Sequence, residues 1–254
     1  MCRTCGCDRA TDAHHPEHDH PHEHPHGHEH ARAATRPLRR VALETALLAK
    51  NDLQAEALRA RLAAGGITAL NLIGAPGAGK TTLLEHTLRK LPELAIAVIE
   101  GDQATDHDAR RIAATGRPVL QVNTGAGCHL DADMIERSLA ELAPAAGALV
   151  MIENVGNLVC PALFDLGEKA KVVVISVTEG EDKPLKYPHV FRAAKAMVLT
   201  KADLLPHLEV DVGAMIANAR KVNPSIDVFP VSAAKGDGMR EWCGWLRAQA
   251  GVAS

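Results

Sequence analysis

Aromatic side chains are scarce in this sequence, with three Phe, two Trp and one Tyr in 254 residues. A core must therefore come from Ala, Leu, Val and Ile, and the shortage argues against base-stacking platforms for single-stranded nucleic acid. An excess of charge is missing too. The net charge of −3 at pH 7 gives no footprint for a polyanion, so no nucleic-acid partner is expected. No apolar run approaches the roughly eighteen residues that span a bilayer, and the N-terminus carries no apolar segment of the secretory kind. No membrane partner is expected, and the chain reads as cytoplasmic. There the six Cys stand as reactive or metal-bound thiols rather than disulfides. What is present, 46% hydrophobic and 23% charged residues, suffices for one large α/β domain with extensions.

The chain reads in three stretches. Residues 1–36 are rich in Cys and His: Met1-Cys2-Arg3-Thr4-Cys5-Gly6-Cys7 is followed by a tract holding nine of the fourteen His. With Pro, acidic residues and no apolar positions, this stretch cannot bury enough surface to offset ordering, and it is expected to be disordered without metal. Residues 37–66 read as a helical segment, with Leu38, Val41, Ala42, Leu47, Leu48, Leu58 and Leu62 at helical spacing and an interruption expected near Asn51-Asp52. Its pattern suits a helix covering one face of a sheet. From 67 to 254 short apolar runs alternate with helical stretches. Strands are expected at 67–73, 95–100, 119–122, 148–153, 171–177, 196–200 and 227–231, and helices at 81–90, 105–115, 132–141, 212–222 and 238–249. Most of these runs lack period-two alternation, as strands buried on both faces of a parallel sheet do. The expected fold class is α/β, a doubly wound and mostly parallel sheet with right-handed crossovers.

Gly74-Ala75-Pro76-Gly77-Ala78-Gly79-Lys80-Thr81 fits G-x-x-x-x-G-K-[ST], between a strand end and a helix start. Gly74, Gly77 and Gly79 let the backbone wrap around a phosphate with its N–H groups inward, Ala78 and Thr82 complete the cradle, and the helix N-terminus adds partial positive charge. Lys80 is expected to reach the β- and γ-phosphates, and the Thr81 hydroxyl to bind Mg²⁺. Asp102 and Glu153, at the ends of two later strands, are candidates for the Mg²⁺ shell and for positioning an attacking water. An ordinary N-cap or turn residue is the competing reading of each. The Gly156 N–H is a candidate sensor of the γ-phosphate.

Thr200-Lys201-Ala202-Asp203 and Ser232-Ala233 close two further strands, at the sheet edge where open α/β folds bind ligands. A carboxylate such as Asp203 can accept from the N1–H and the exocyclic amine of guanine, a donor pair that adenine lacks. Lys201 can lie along the ring, and Ala233 can offer its N–H to guanine O6. The order of these motifs resembles GTPases, from which Thr200 departs by replacing the commoner Asn, with a weaker contact to the base and to the phosphate loop expected.

Two sets of soft ligands remain. Cys128-His129 and Cys160 arrive at the same sheet edge as the phosphates, and two thiols with an imidazole suit Zn²⁺ or Ni²⁺. Two buried structural Cys beside an unrelated His is the competing reading. Cys2, Cys5 and Cys7 are too tightly spaced for a folded core; with a freed α-amine they make an N,S site of the planar sort Ni²⁺ accepts, and without metal they are redox-active thiols.

Together these motifs, with the run Glu153-Asn154-Val155-Gly156-Asn157-Leu158, resemble the HypB family of hydrogenase-maturation GTPases, SIMIBI-class proteins related to the urease accessory GTPases. The resemblance covers essentially the whole chain. It implies slow hydrolysis of GTP to GDP and phosphate, high-affinity nickel at Cys2, Cys5 and Cys7, and a second nickel or zinc site at Cys128, His129 and Cys160. It also implies a GTP-dependent homodimer, a HypA-type accessory protein as partner, and delivery to the [NiFe]-hydrogenase large-subunit precursor. Leu204, Leu205 and Leu208 match the family's dimer-contact region, and a core contact explains them equally well. Two other functions stay open. A nickel store would use the Cys/His segment alone, and a P-loop small-molecule kinase would prefer ATP.

Overall fold

The computed structural model describes residues 35–252 apart from 104, 105 and 126; Cys2, Cys5, Cys7 and the His tract lie outside the described residues. The chain divides into two units, Met1–Lys50 and Asn51–Ser254. In the first, described residues 35–50 are helical, within α1 (Thr35–Ala64).

The second unit holds β1 (Thr68–Ile73), β2 (Ile96–Asp102), β3 (Val119–Asn123), β4 (Leu149–Glu153), β5 (Ala170–Ser176), β6 (Ala194–Thr200) and β7 (Asp227–Pro230). They form one sheet in the order β3-β2-β4-β1-β5-β6-β7, with every neighbouring pair parallel. The chain builds outward from β1 to one edge, returns at β4, and then builds to the other edge from β5. The crevice where these directions part, at the C-terminal strand ends, is where such sheets bind ligands.

Alternate strand residues feed different cores. Leu70, Leu72, Val172 and Val174 pack with Leu84 and Leu88 of α2 (Lys80–Lys90), and with Trp242 and Leu246 of α9 (Met239–Gln249). On the opposite face Val173 and Ile175 meet Phe191 of α7 (Pro188–Ala193) and Met215 of α8 (Val212–Val222). Farther along that face Ala69, Val150 and Ile152 meet Leu58 and Leu62 of α1 and Ile135 of α4 (Ala132–Leu142). Each fully buried Leu or Ile contributes about 1.5–3 kcal/mol, which explains how a core so poor in aromatics suffices.

Three local outcomes differ from expectation. No interruption occurs at Asn51. That side chain is buried, donating Nδ2 to Asp165 O at 2.8 Å and accepting Ala132 N at 2.9 Å. Its polar groups are satisfied by tertiary partners, so they do not compete with the helix. The helix expected at 105–115 is α3 (His107–Ala113), shorter at each end. Short helices α5 (Cys160–Leu163) and α6 (Lys183–Lys186), with α7, each have Pro in the first turn and are too brief for a periodic signal. Among the described residues no helix is long and apolar enough to cross a membrane.

Candidate nucleotide and metal site

The loop after β1 is shaped by its glycines. A Cβ on Gly74 would lie 2.4 Å from Val174 O, while Gly77 and Gly79 sit at φ +74° and +90°, in the left-handed region that glycine adopts freely. Gly79 caps α2 without a side-chain hydrogen bond, leaving the orphan N–H groups of the first turn for an anion. Lys80 is buried and donates to Gly74 O at 3.1 Å and Ala75 O at 3.3 Å. Burial pushes its pKa down, against the pull of the Glu153 charge.

This loop borders a cavity of about 540 Å³ that is also lined by Thr81, Thr82, Asp102, Glu153, Gly156 and Lys201. Thr81 Oγ1 donates to Glu153 Oε1 at 2.8 Å. Glu153 and Glu100 are register neighbours on β4 and β2, and both are buried. Burial first, and then the Glu153 and Asp102 charges, push Glu100 up to about 8. Burial likewise pushes Glu153 up to about 7, with Lys80 and the Thr81 hydrogen bond opposing. The Oε2 atoms of Glu100 and Glu153 have no hydrogen-bond partner, an arrangement costly for a carboxylate unless a cation arrives. Hydroxyl and carboxylate oxygens beside a phosphate cradle fit Mg²⁺.

At the ends of β6 and β7, Ser232 Oγ donates to Asp203 Oδ1 at 2.7 Å. That bond holds the Asp203 pKa below its ordinary value, so its carboxylate is ionised at neutral pH. Ala233 follows, half-buried. Lys201, in the left-handed region at φ +59°, donates Nζ to Gly77 O at 2.8 Å. Thr200 makes a tie to the phosphate loop: its Oγ1 donates to Ala78 O at 2.6 Å.

Cys128, His129 and Cys160 come together, with one ligand atom from each lying within 4.8 Å of the others. Both Cys are buried, and Cys128 Sγ is 3.8 Å from His129 Nδ1. The His129 ring stacks on Phe164 with centroids 3.8 Å apart, and burial pushes its pKa down, favouring the neutral imidazole that binds metal. Two thiols and a neutral imidazole match the donor set of Zn²⁺ or Ni²⁺, with a fourth position open.

The structure therefore gathers Gly77, Gly79, Lys80, Thr81 and Thr82 with Asp102, Glu153, Gly156 and Lys201 around one cavity, whose lining leaves out Gly74 and Ala78; Asp203 and Ser232 pair beyond Lys201, and the Cys/His triple is a separate cluster. Leu204, Leu205 and Leu208 pack against the core cluster of β5 and β6. Sequence reasoning missed Glu100, Asp108, Arg111 and Asn154, which also line the cavity. Arg111 bonds Thr82 Oγ1 at 3.0 Å and Glu85 Oε2 at 2.5 Å. A usable signal existed for Glu100: a carboxylate directly after the apolar run Ile96-Ala97-Val98-Ile99, in the same strand, needs a reason to be there.

Residues 68–230 match the family described as CobW/HypB/UreG, nucleotide-binding domain. The chain is 58% identical over 215 residues to the hydrogenase maturation factor HypB of Azotobacter chroococcum mcd 1, covering 84% of this chain and 70% of that protein. Among solved structures, HypB from Archaeoglobus fulgidus is similar at 39% identity and a TM-score of 0.74, over 80% of this chain and 99% of that one. HypB from Helicobacter pylori, solved in complex with nickel, is similar at 35% identity and a TM-score of 0.74, over 79% of this chain and 95% of that one.

Proposed function

The chain belongs to the HypB family of hydrogenase maturation factors, and from that premise we propose that it is a GTPase that carries nickel and releases it under nucleotide control. The observation that carries this reading is the Cys128, His129 and Cys160 cluster, built on loops that adjoin the phosphate cavity. A nickel store would not need a ligand set there.

In this reading the phosphate loop N–H groups and Lys80 hold the β- and γ-phosphates, and Asp203 selects guanine. Mg²⁺ would be held by Thr81 with Glu153 and Asp102, neutralising phosphate charge as it develops. Glu153 and Asp102 orient the attacking water, and Gly156 senses the γ-phosphate. Nickel is cargo, taken up at Cys2, Cys5 and Cys7 and passed through the Cys128, His129 and Cys160 cluster, which also suits zinc. GTP pairs two copies of the chain, a HypA-type protein exchanges metal with it, and the hydrogenase large-subunit precursor receives the nickel. The setting is the cytoplasm, where the thiols stay reduced. Residues 1–36 act as the metal-collecting segment, 37–66 as a helical segment and 67–254 as the GTPase domain.

The test is a nickel titration of the full chain and of the full chain carrying Cys2→Ser, Cys5→Ser and Cys7→Ser, each with GDP and with a non-hydrolysable GTP analogue. The triple variant is expected to bind nickel still, with an affinity differing on the order of tenfold between nucleotides. Loss of all nickel with those three Cys, or indifference to the nucleotide, would make the chain a store.

A further inference from the structure

Only three residues separate Gly156 from Cys160, and among them Asn157 has contacts that reach both ways. Its main chain forms an antiparallel bridge to Gly74 of the phosphate loop. Gly156 beside it packs so closely that a Cβ would lie 2.9 Å from Pro76 Cγ and 3.1 Å from Pro76 N. The side chain carries the other two contacts. Nδ2 donates to Cys128 O at 3.4 Å, and Oδ1 accepts Val159 N at 2.8 Å, immediately before Cys160. One carboxamide thus touches the backbone of both segments that bring thiols to the metal cluster, while its own backbone is joined to the phosphate cradle.

The start of the same loop is fixed differently. Asn154 is buried; its Oδ1 accepts Val155 N at 3.0 Å and Leu130 N at 3.3 Å, and its Nδ2 donates to Asn71 Oδ1 of β1 at 3.2 Å. A buried amide hydrogen-bonded through both its oxygen and its nitrogen is costly to displace, so residue 154 is an anchor. The long bond from Asn157 to Cys128 is the weaker tie. Another bond into the metal-bearing loop, Gln103 Nε2 to Gly127 O at 3.0 Å, is exposed to water, which competes for it.

We infer that Asn157 is the positioning residue that transmits nucleotide state to the metal cluster. A shift of Gly156 against Pro76 moves the Asn157 carboxamide, and with it the Cys128 carbonyl and the turn entering Cys160, so the separation of the two sulfurs changes. The inference rests on the nickel-GTPase reading above and adds to it a residue outside both the cavity lining and the ligand set.

The experiment compares Asn157→Asp and Asn157→Ala, in the full chain carrying Cys2→Ser, Cys5→Ser and Cys7→Ser, with that parent. Asp keeps the acceptor for Val159 N but sets an oxygen against the Cys128 carbonyl; Ala removes both bonds without adding charge. Nickel affinity is measured with GDP and with the GTP analogue, nucleotide affinity with and without nickel, and the nickel–thiolate absorption band is followed throughout. Linkage requires the parent's two coupling factors to be equal, and on the order of tenfold. Both variants are expected to bring these factors to within about twofold of one, while each separate affinity stays within about threefold of the parent's. Their absorption band should no longer respond to the nucleotide. Variants that retain the parent's coupling overturn the role of Asn157 alone. A parent without coupling overturns the nickel-GTPase switch, and this inference with it.

Discussion

Around the phosphate cradle, the functional side chains stand on regular structure. Lys80 and Thr81 open α2, and Glu100 and Glu153 face one another from registered strands. Around the metal cluster, Cys128 and His129 lie outside any strand or helix, and Cys160 opens a helix of four residues. The first site is built to hold one geometry, and the second rests on loops and one short helix, where a small movement would change the ligand spacing. A preorganised site next to an adjustable one is what a nucleotide-gated carrier of metal requires.

Removing the cradle's charge should break the comparison most severely. Lys80→Ala is expected to lower GTP hydrolysis on the order of a thousandfold, followed by phosphate release, while nickel still binds at Cys128, His129 and Cys160. Cys128→Ser is the converse. Nickel affinity should fall about a hundredfold, with metal-free GTP affinity within about twofold of the parent. At the base end, Asp203→Asn removes a charged acceptor worth about 1.5–3 kcal/mol. GTP affinity should drop roughly 10- to 100-fold, and xanthosine triphosphate, which keeps the N1–H donor but has a 2-oxo acceptor in place of guanine's 2-amine, should gain.

The smallest effect is in pH. Glu100 and Glu153 have folded-state pKa values of about 8 and about 7, above the roughly 4.3 of an unfolded Glu. The folded state therefore binds more protons, and the stability this provides, present below about pH 4, is lost as pH rises through these values. Without nucleotide or Mg²⁺ the melting temperature should fall between about pH 5 and 8, and Mg²⁺ with GDP should flatten the decline. Thermal melts at stepped pH check it; a flat ligand-free profile would remove the buried carboxylate pair from the account.

Much of this was legible in the sequence, for stated physical reasons. Buried parallel strands write themselves as short apolar runs, and a glycine-rich turn before Lys-Thr declares its backbone geometry. Asn51 misled because an Asn inside a helix usually competes with it, and only the fold reveals that Asp165 and Ala132 satisfy the side chain. Asn154 and Asn157 were visible as letters but silent as contacts, since their partners Leu130, Asn71 and Cys128 are far away in the chain. Glu100 stood in plain view within an apolar strand, and its meaning came only from the β2–β4 register that sets it beside Glu153.

The central claim is that one metal cluster answers to the nucleotide. Its most direct test is the nickel X-ray absorption spectrum of the full chain with Cys2→Ser, Cys5→Ser and Cys7→Ser, recorded with GDP and with a non-hydrolysable GTP analogue. The account predicts sulfur and imidazole ligation from Cys128, Cys160 and His129, with a sulfur shell that differs between the two nucleotides. Nickel without sulfur ligands, or identical spectra in both states, would contradict it.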